Sequence, residues 1–286
     1  MLADWWQYDF LRYTLFSGIL IGLICPVLGT FLIVRRLSMM ADGLSHVTLS
    51  GVAAGMLLSK KIAFFQAVNP LFFGMLFSVV GSLFIERLRK VYKAYQDLAI
   101  PIILSAGLGL FTVMVSMANG FNTDLYSYLF GKIVTVTRED LYALLGVGAV
   151  VIGTVLLLYK ELFAISFDEE YARVSGVARR SINLWFMVLV ALTIAASMRI
   201  VGVLLISALI TIPVAASLQV AGSFRQAMWL AILFAEASVL SGLYLAYLLD
   251  WASGGTIVLM AVLLLVIVLG GKRLRARFLQ GRGESR

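Results

Sequence analysis

The 286-residue sequence has one histidine and one cysteine, and only 13% of its residues are charged. Each scarcity closes off a class of function. With Cys25 alone, neither an intrachain disulfide nor a cysteine-based zinc finger can form. With His46 alone, imidazole acid–base chemistry has a single candidate. No GxxxxGK(S/T) run is present, so the chain does not bind ATP through a P-loop. HExxH and GxSxG are missing too, which counts against zinc peptidases and the common serine hydrolases. No His-rich tract is present to collect metal. Soluble domains carry charge on roughly 25% of their residues, so the shortage of charge also argues against a water-soluble fold.

What the chain has instead is apolar surface: 62% of residues are hydrophobic and mean hydropathy is +0.99. A soluble fold of this length could not hide that much, whereas a bilayer can. One crossing helix needs about 20 mostly apolar residues. Apolar stretches fall at 12–34, 41–58, 62–85, 98–118, 139–159, 182–198, 200–220, 226–249 and 255–271. They predict an all-α, polytopic integral membrane protein with eight or nine transmembrane helices, forming one domain over residues 1–286. The 41–58 stretch contains Asp42 and His46 and is expected to be a broken or partial span. Residues 119–138 are too polar to cross and are expected to include a short helix at the membrane face. The N-terminus lacks a basic n-region, so no cleaved signal peptide is expected. Trp5, Trp6 and Tyr8 suit interfacial anchors.

If nine spans alternate, 17 of the 23 lysines and arginines fall on one side. Positive charge marks the cytoplasmic side, so the C-terminal tail 272–286 is predicted inside and the N-terminus outside. One span fewer would move the N-terminus inside. The net charge of +8 then reflects basic loops and gives no reason to expect a nucleic-acid partner. Gly18 with Gly22 and Gly51 with Gly55 are spaced for close helix contacts in lipid. Pro26, Pro101 and Pro213 are expected to kink helices or free a carbonyl.

Few residues could carry chemistry. Asp42 and His46 stand at i and i+4, on one helical face. A carboxylate and an imidazole so placed can hold a divalent cation, or they can form a hydrogen bond that joins helices. An ionisable group near the bilayer centre costs on the order of 3 kcal/mol, so it usually faces a pathway or a partner. Glu236 lies in an apolar run and could line a path or pair with a neighbouring helix. Arg199 fits a turn or an interface. Asp124 and Asp250 fall in expected outer loops, where they are solvated or draw cations. The loop at about 160–181 alternates charge and aromatics and is expected to form a short amphipathic helix ending at Gly176. Such a helix could dock into a partner's groove or be an ordinary basic loop.

Four segments, taken in order, are similar to the permease family of metal-ion ABC importers. They are Arg35-Arg36 followed by Ala41-Asp42-Gly43-Leu44-Ser45-His46; Asp124-Leu-Tyr-Ser-Tyr-Leu-Phe-Gly131; Phe167-Asp168 through Ala172 to Gly176; and Arg199-Ile-Val-Gly-Val-Leu-Leu205 through Pro213. The similarity spans about residues 10–271, and within the family the chain looks most like the high-affinity zinc-uptake branch. The resemblance implies a subunit that is not itself an enzyme and sits in a bacterial cytoplasmic membrane. Its expected partners are a second copy of the chain, two cytoplasmic ATP-binding subunits and an extracytoplasmic metal-binding protein. It implies that Asp42 and His46 contact the transported zinc, or manganese or iron in its place, with no permanently bound cofactor. It further implies that Asp168, Ala172 and Gly176 mark the helix that couples to the ATPase. Glu236 and Asp124 remain possible pathway residues. The rivals are an ion-coupled secondary transporter, for which no convincing inverted repeat is found, an intramembrane enzyme using Asp42 and His46, and a purely structural subunit.

Overall fold

The computed structural model describes residues 8–118, 123–132 and 136–283. Helices dominate, and no strand occurs among the described residues. They run α1 (Asp9–Val34), α2 (Met40–Lys61), α3 (Pro70–Val91), α4 (Ala99–Met117), α5 (Thr123–Phe130), α6 (Arg138–Leu157), α7 (Tyr159–Phe167), α8 (Glu169–Val174), α9 (Arg179–Val201), α10 (Val203–Leu218), α11 (Phe224–Leu249) and α12 (Ser253–Gly283).

Each of the nine apolar stretches forms a helix. Seven of them, α1, α3, α4, α6, α9, α11 and α12, are long and apolar enough to cross a membrane. The other two are α2, long enough at 22 residues but more polar, and α10, apolar but only 16 residues long. The α2 segment, expected to be a broken or partial span, is one continuous helix. The stretch expected from residue 62 opens with a 3-10 turn at Ala63–Phe65 and becomes α-helical only at Pro70. There Asn69 caps the helix by accepting a hydrogen bond from the Leu71 amide at 3.0 Å, and Pro70 occupies the first turn. An Asn-Pro start signal fixes a helix end more sharply than hydropathy does. Trp5 and Trp6 lie outside the described residues, while Tyr8 is exposed near Phe10.

The centre of the bundle is formed by α1 and α9. Ile21, Ile24, Cys25, Leu28, Phe31 and Leu32 of α1 have no exposed surface, and neither do Met187, Leu189, Val190 and Ala191 of α9. The α12 span is only 22% buried against 72% for α1 and α9, so it lies at the rim of the bundle. The spaced glycines sit where helices touch. Gly18 faces Val239 and Leu243 of α11, and a Cβ on Gly51 would come within 2.6 Å of Phe77 on α3. Gly202 joins α9 to α10 at φ +85°, a backbone conformation that glycine adopts without penalty.

Two ends of the bundle differ in charge. Arg35, Arg36, Arg89 and Glu169 meet at one end, and Phe224 and Lys272 lie at that same end against Phe167 and Gln219. Phe10, Tyr126, Lys132, Asp250 and Trp251 line a hollow at the other. The turn from α1 to α2 is tight. Arg36 donates to Ile33 O at 3.0 Å, Leu37 donates to Leu32 O at 2.8 Å, and Arg36 takes a left-handed φ of +58°. This hydrogen-bond pattern closes helix C-termini in which one residue turns left-handed.

Candidate functional site

Asp42 lies in the first turn of α2, where the helix dipole favours a carboxylate. His46 follows one turn deeper, about 6 Å along the axis. Both are half-buried, between fully buried neighbours Ala41, Leu44 and Ser45. One side of α2 is packed on α3 and α4, with Gly43 against Ile100 and Val47 against Gly81 and Gly107. Asp42 and His46 occupy the adjoining flank. The Nδ1 atom of His46 is buried and has no hydrogen-bond partner among the described residues. No hydrogen bond joins His46 to Asp42, or either side chain to another helix, among those residues. A helix-joining hydrogen bond is therefore not what this geometry holds. No group of three or more His, Cys, Asp or Glu gathers among the described residues.

Toward the less basic end, the same flank of α2 continues as Ala53, Met56 and Lys60. These meet Met114, Val115 and Ala118 of α4 and Leu125 of α5 around a gap of about 10 Å³. Such a gap is at the threshold for a single water molecule. Packed apolar and thioether side chains thus close the flank at that end.

The other sequence candidates are not brought to this pair. Glu236 projects from α11 toward Gly22 of α1, and α11 packs on α1, α10 and α12. Asp124 belongs to α5, but its side chain lies outside what is described. Arg199 forms an ion pair that the sequence did not reveal. It donates to Asp140 Oδ2 at 2.6 Å and lies 5.3 Å from the centre of the Tyr128 ring. Asp140 is 1% exposed and also accepts from the Thr137 amide and hydroxyl, closing the N-terminus of α6. This network joins α5, α6 and α9.

The segment expected as one amphipathic helix is two. α7 ends where Asp168 turns extended, and the Asp168 side chain caps α8 by accepting from the Glu170 and Tyr171 amides at 3.1 and 2.8 Å. Gly176 ends the motif at φ +79°. Ala172 is fully buried within the chain, so it fixes the segment to its own bundle. Exposed Tyr171 and Val174, at 65% and 83%, are the apolar α8 side chains left for a partner to touch, beside exposed Glu169, Glu170 and Arg173. An aromatic cluster ties the segment inward. The Phe224 ring lies 5.2, 5.3 and 5.7 Å from those of Phe31, Phe163 and Phe167, and Phe31 reaches Phe186 at 6.1 Å. Arg35 adds polar ties, donating to Ser166 Oγ, Asn183 Oδ1 and Leu162 O at 2.8, 2.7 and 3.3 Å. Burial pushes the Arg35 pKa down to about 10; Glu169 partly opposes this and Arg89 adds to it. The guanidinium remains charged at neutral pH.

The structure is thus a many-helix bundle with a polar pair on α2 and a separate helical segment clamped to one end. Residues 7–271 match the ABC 3 transport family, and the chain belongs to that family. A protein of Treponema pallidum (strain Nichols) named "Probable metal transport system membrane protein" is 36% identical, over 92% of this chain and 96% of its own length. The "Manganese transport system membrane protein MntC" of Listeria monocytogenes is 30% identical, over 91% of this chain and 90% of its own. The solved structure of "PsaBC from Streptococcus pneumoniae in complex with Fab" superposes with a TM-score of 0.80 at 29% identity, covering 94% of this chain and 95% of that one. The chain is a membrane permease subunit of an ABC metal importer and not itself an enzyme.

Proposed function

We propose that Asp42 and His46 contact a divalent metal as it passes through the permease into the cytoplasm. The observation that carries this is the buried, unpartnered His46 Nδ1 one turn from an equally unpaired Asp42. A polar atom buried without a partner is costly, and a passing cation would satisfy it. Two ligands cannot fill a metal's coordination sphere. Two copies of the chain would supply two imidazoles and two carboxylates, the four ligands that zinc takes in tetrahedral sites. That count supports a two-fold permease dimer. A pair of ligands per chain also suits a carrier, since an ion held too tightly would not leave.

Imidazole favours zinc and carboxylate favours manganese. Zinc is the cargo that the sequence resemblance suggests, and manganese is the second reading, favoured by the name that the Listeria relative carries. The basic end, with α7 and α8, is assigned to the cytoplasm by the positive-inside rule. There Tyr171 and Val174 would meet one of two ATP-binding subunits, and an extracytoplasmic metal-binding protein would deliver the ion to the opposite end.

The test is uptake of radioactive zinc and manganese at limiting metal, in cells lacking other importers. Asp42→Ala and His46→Ala should each abolish uptake of the cargo metal with near-normal membrane levels of the protein. A lost interhelical hydrogen bond would cost only about 0.6 kcal/mol and leave most transport intact. Near-normal uptake in both variants would remove the metal assignment. Uptake that survives a catalytically dead ATPase partner would point to ion-coupled transport.

A further inference from the structure

The basic end of the bundle holds a cavity of about 230 Å³ whose lining includes Arg35, Arg36, Arg89, Ser166, Glu169 and Asn183. Its charge balance is uneven. Glu169 already bridges Arg179, and Arg89 shares Glu86 with Lys90, at 3.9 and 3.1 Å respectively. Arg36 is exposed, and no hydrogen bond or ion pair engages its guanidinium among the described residues. Arg35 is the anomaly. It is half-buried, yet its three hydrogen bonds go to a hydroxyl, an amide oxygen and a backbone carbonyl, none of them charged. Buried charges are normally paired with an opposite charge. Glu169, across the cavity and bridged to Arg179, acts on Arg35 only at longer range, and no carboxylate among the described residues pairs with it directly.

The depth of the cavity indicates where the missing anion comes from. Asn183 lies one turn inward from Arg179 and Arg180 and two residues from the half-exposed Trp185. Tryptophan collects at the level of the lipid headgroups. The walls are the ends of α1, α3 and α9 together with α7. Basic hollows between transmembrane helices on the cytoplasmic side suit anionic headgroups, and planar guanidinium groups match phosphate oxygens two at a time. The volume is below the roughly 300–1,000 Å³ of sites for drug-sized ligands, so it suits a phosphate group rather than a nucleotide.

We infer that the Arg35–Arg36–Arg89 cavity binds a phosphate group, supplied by the headgroup of an anionic phospholipid. The bound phosphate braces α7 against α1, α3 and α9, so lipid composition sets how firmly the α7–α8 segment is held. This depends on the membrane placement of the bundle and not on the metal reading.

The experiment is native mass spectrometry of the purified full-length chain, titrated with phosphatidylglycerol, with a phosphate-free glycosyl diacylglycerol and with inorganic phosphate. Wild type should retain one phosphatidylglycerol per chain, ignore the glycolipid and not release the lipid to millimolar inorganic phosphate. Arg36→Gln combined with Arg89→Gln should weaken that binding at least tenfold. Arg36 is exposed, and Lys90 at 3.1 Å still holds Glu86 when Arg89 is replaced; gel filtration with thermal unfolding confirms that the double variant is folded. Affinity within twofold of wild type in that folded variant overturns the inference. Inorganic phosphate binding in place of the lipid overturns the lipid as source. Unchanged lipid binding with lost ATPase affinity would assign the arginines to a carboxylate of the protein partner instead, and that too overturns the inference.

Discussion

Replacing Asp140 by Ala should be among the most damaging single changes outside Asp42 and His46. One oxygen of Asp140 accepts three hydrogen bonds, from the Thr137 amide at 2.8 Å, the Thr137 hydroxyl at 2.6 Å and Arg199 at 2.6 Å. Removing one partner of a buried ion pair costs about 3–5 kcal/mol, and losing a helix cap adds about 1 kcal/mol. Arg199 keeps 17% of its side-chain surface exposed, so the lower end of the first range applies. The expected loss is then about 4 kcal/mol, close to a thousandfold in the folding equilibrium. The assay is denaturant-induced unfolding of the purified protein in mixed micelles, followed by tryptophan fluorescence. Arg199→Met added to Asp140→Ala removes the stranded charge and should recover about 2 kcal/mol or more, because apolar replacement of a whole buried pair is often nearly neutral. If Asp140→Ala costs under about 1 kcal/mol, or the double variant is no more stable than the single, the pair is not the tie between α5, α6 and α9 described above.

Gly176→Val places a branched side chain at φ +79° with open space around it. The cost is therefore backbone strain of about 1–2 kcal/mol; Val should reduce co-purification of the ATP-binding partner, Asn should do so less, and equal retention by both would count against the turn. Phe224→Ala removes the ring that contacts Phe31, Phe163 and Phe167. Amide hydrogen exchange in residues 159–174 should then accelerate while that of α9 stays slow, and unchanged exchange would show that the aromatic cluster does not hold the segment. Glu236→Gln should retain at least half of wild-type metal uptake, since Glu236 faces α1 rather than α2; a loss matching that of Asp42→Ala would return it to the pathway.

Much of this could be read from the sequence because membrane helices are legible as apolar runs. All nine stretches became helices, and the boundaries that moved most are the start of α3, where Asn69 and Pro70 outweighed hydropathy, and the end of α12, which continues through the basic tail to Gly283. The continuity of α2 was harder to foresee. Its polar residues looked like a break, yet they sit on a helix packed against others, where hydroxyls such as Ser45 and Thr48 bond back to carbonyls one turn earlier. Asp42 and His46 stood out because ionisable residues are rare in such runs. Asp140 did not, because an acid in the first turn of a helix looks like an ordinary cap. Its ion pair with Arg199 spans 59 residues of sequence and appears only when α6 and α9 are set side by side. Ala172 likewise gave no sign from its identity that it faces its own bundle.

The polarity of α2 has a consequence for how the protein is made. This helix carries Asp42, His46, four hydroxyl side chains and a terminal pair of lysines, and it is the long helix that falls short of the apolar content needed to cross alone. Polar and charged residues lower the insertion tendency of a nascent span. The left-handed turn at Arg36 sets α2 directly behind α1, and its contacts are chiefly with α3 and α4, which follow it from the ribosome. The segment that carries the polar pair should therefore enter the bilayer late, as a dependent of its neighbours. A chain cut off after Lys61 should leave α2 outside the membrane, and one continued through α4 should not.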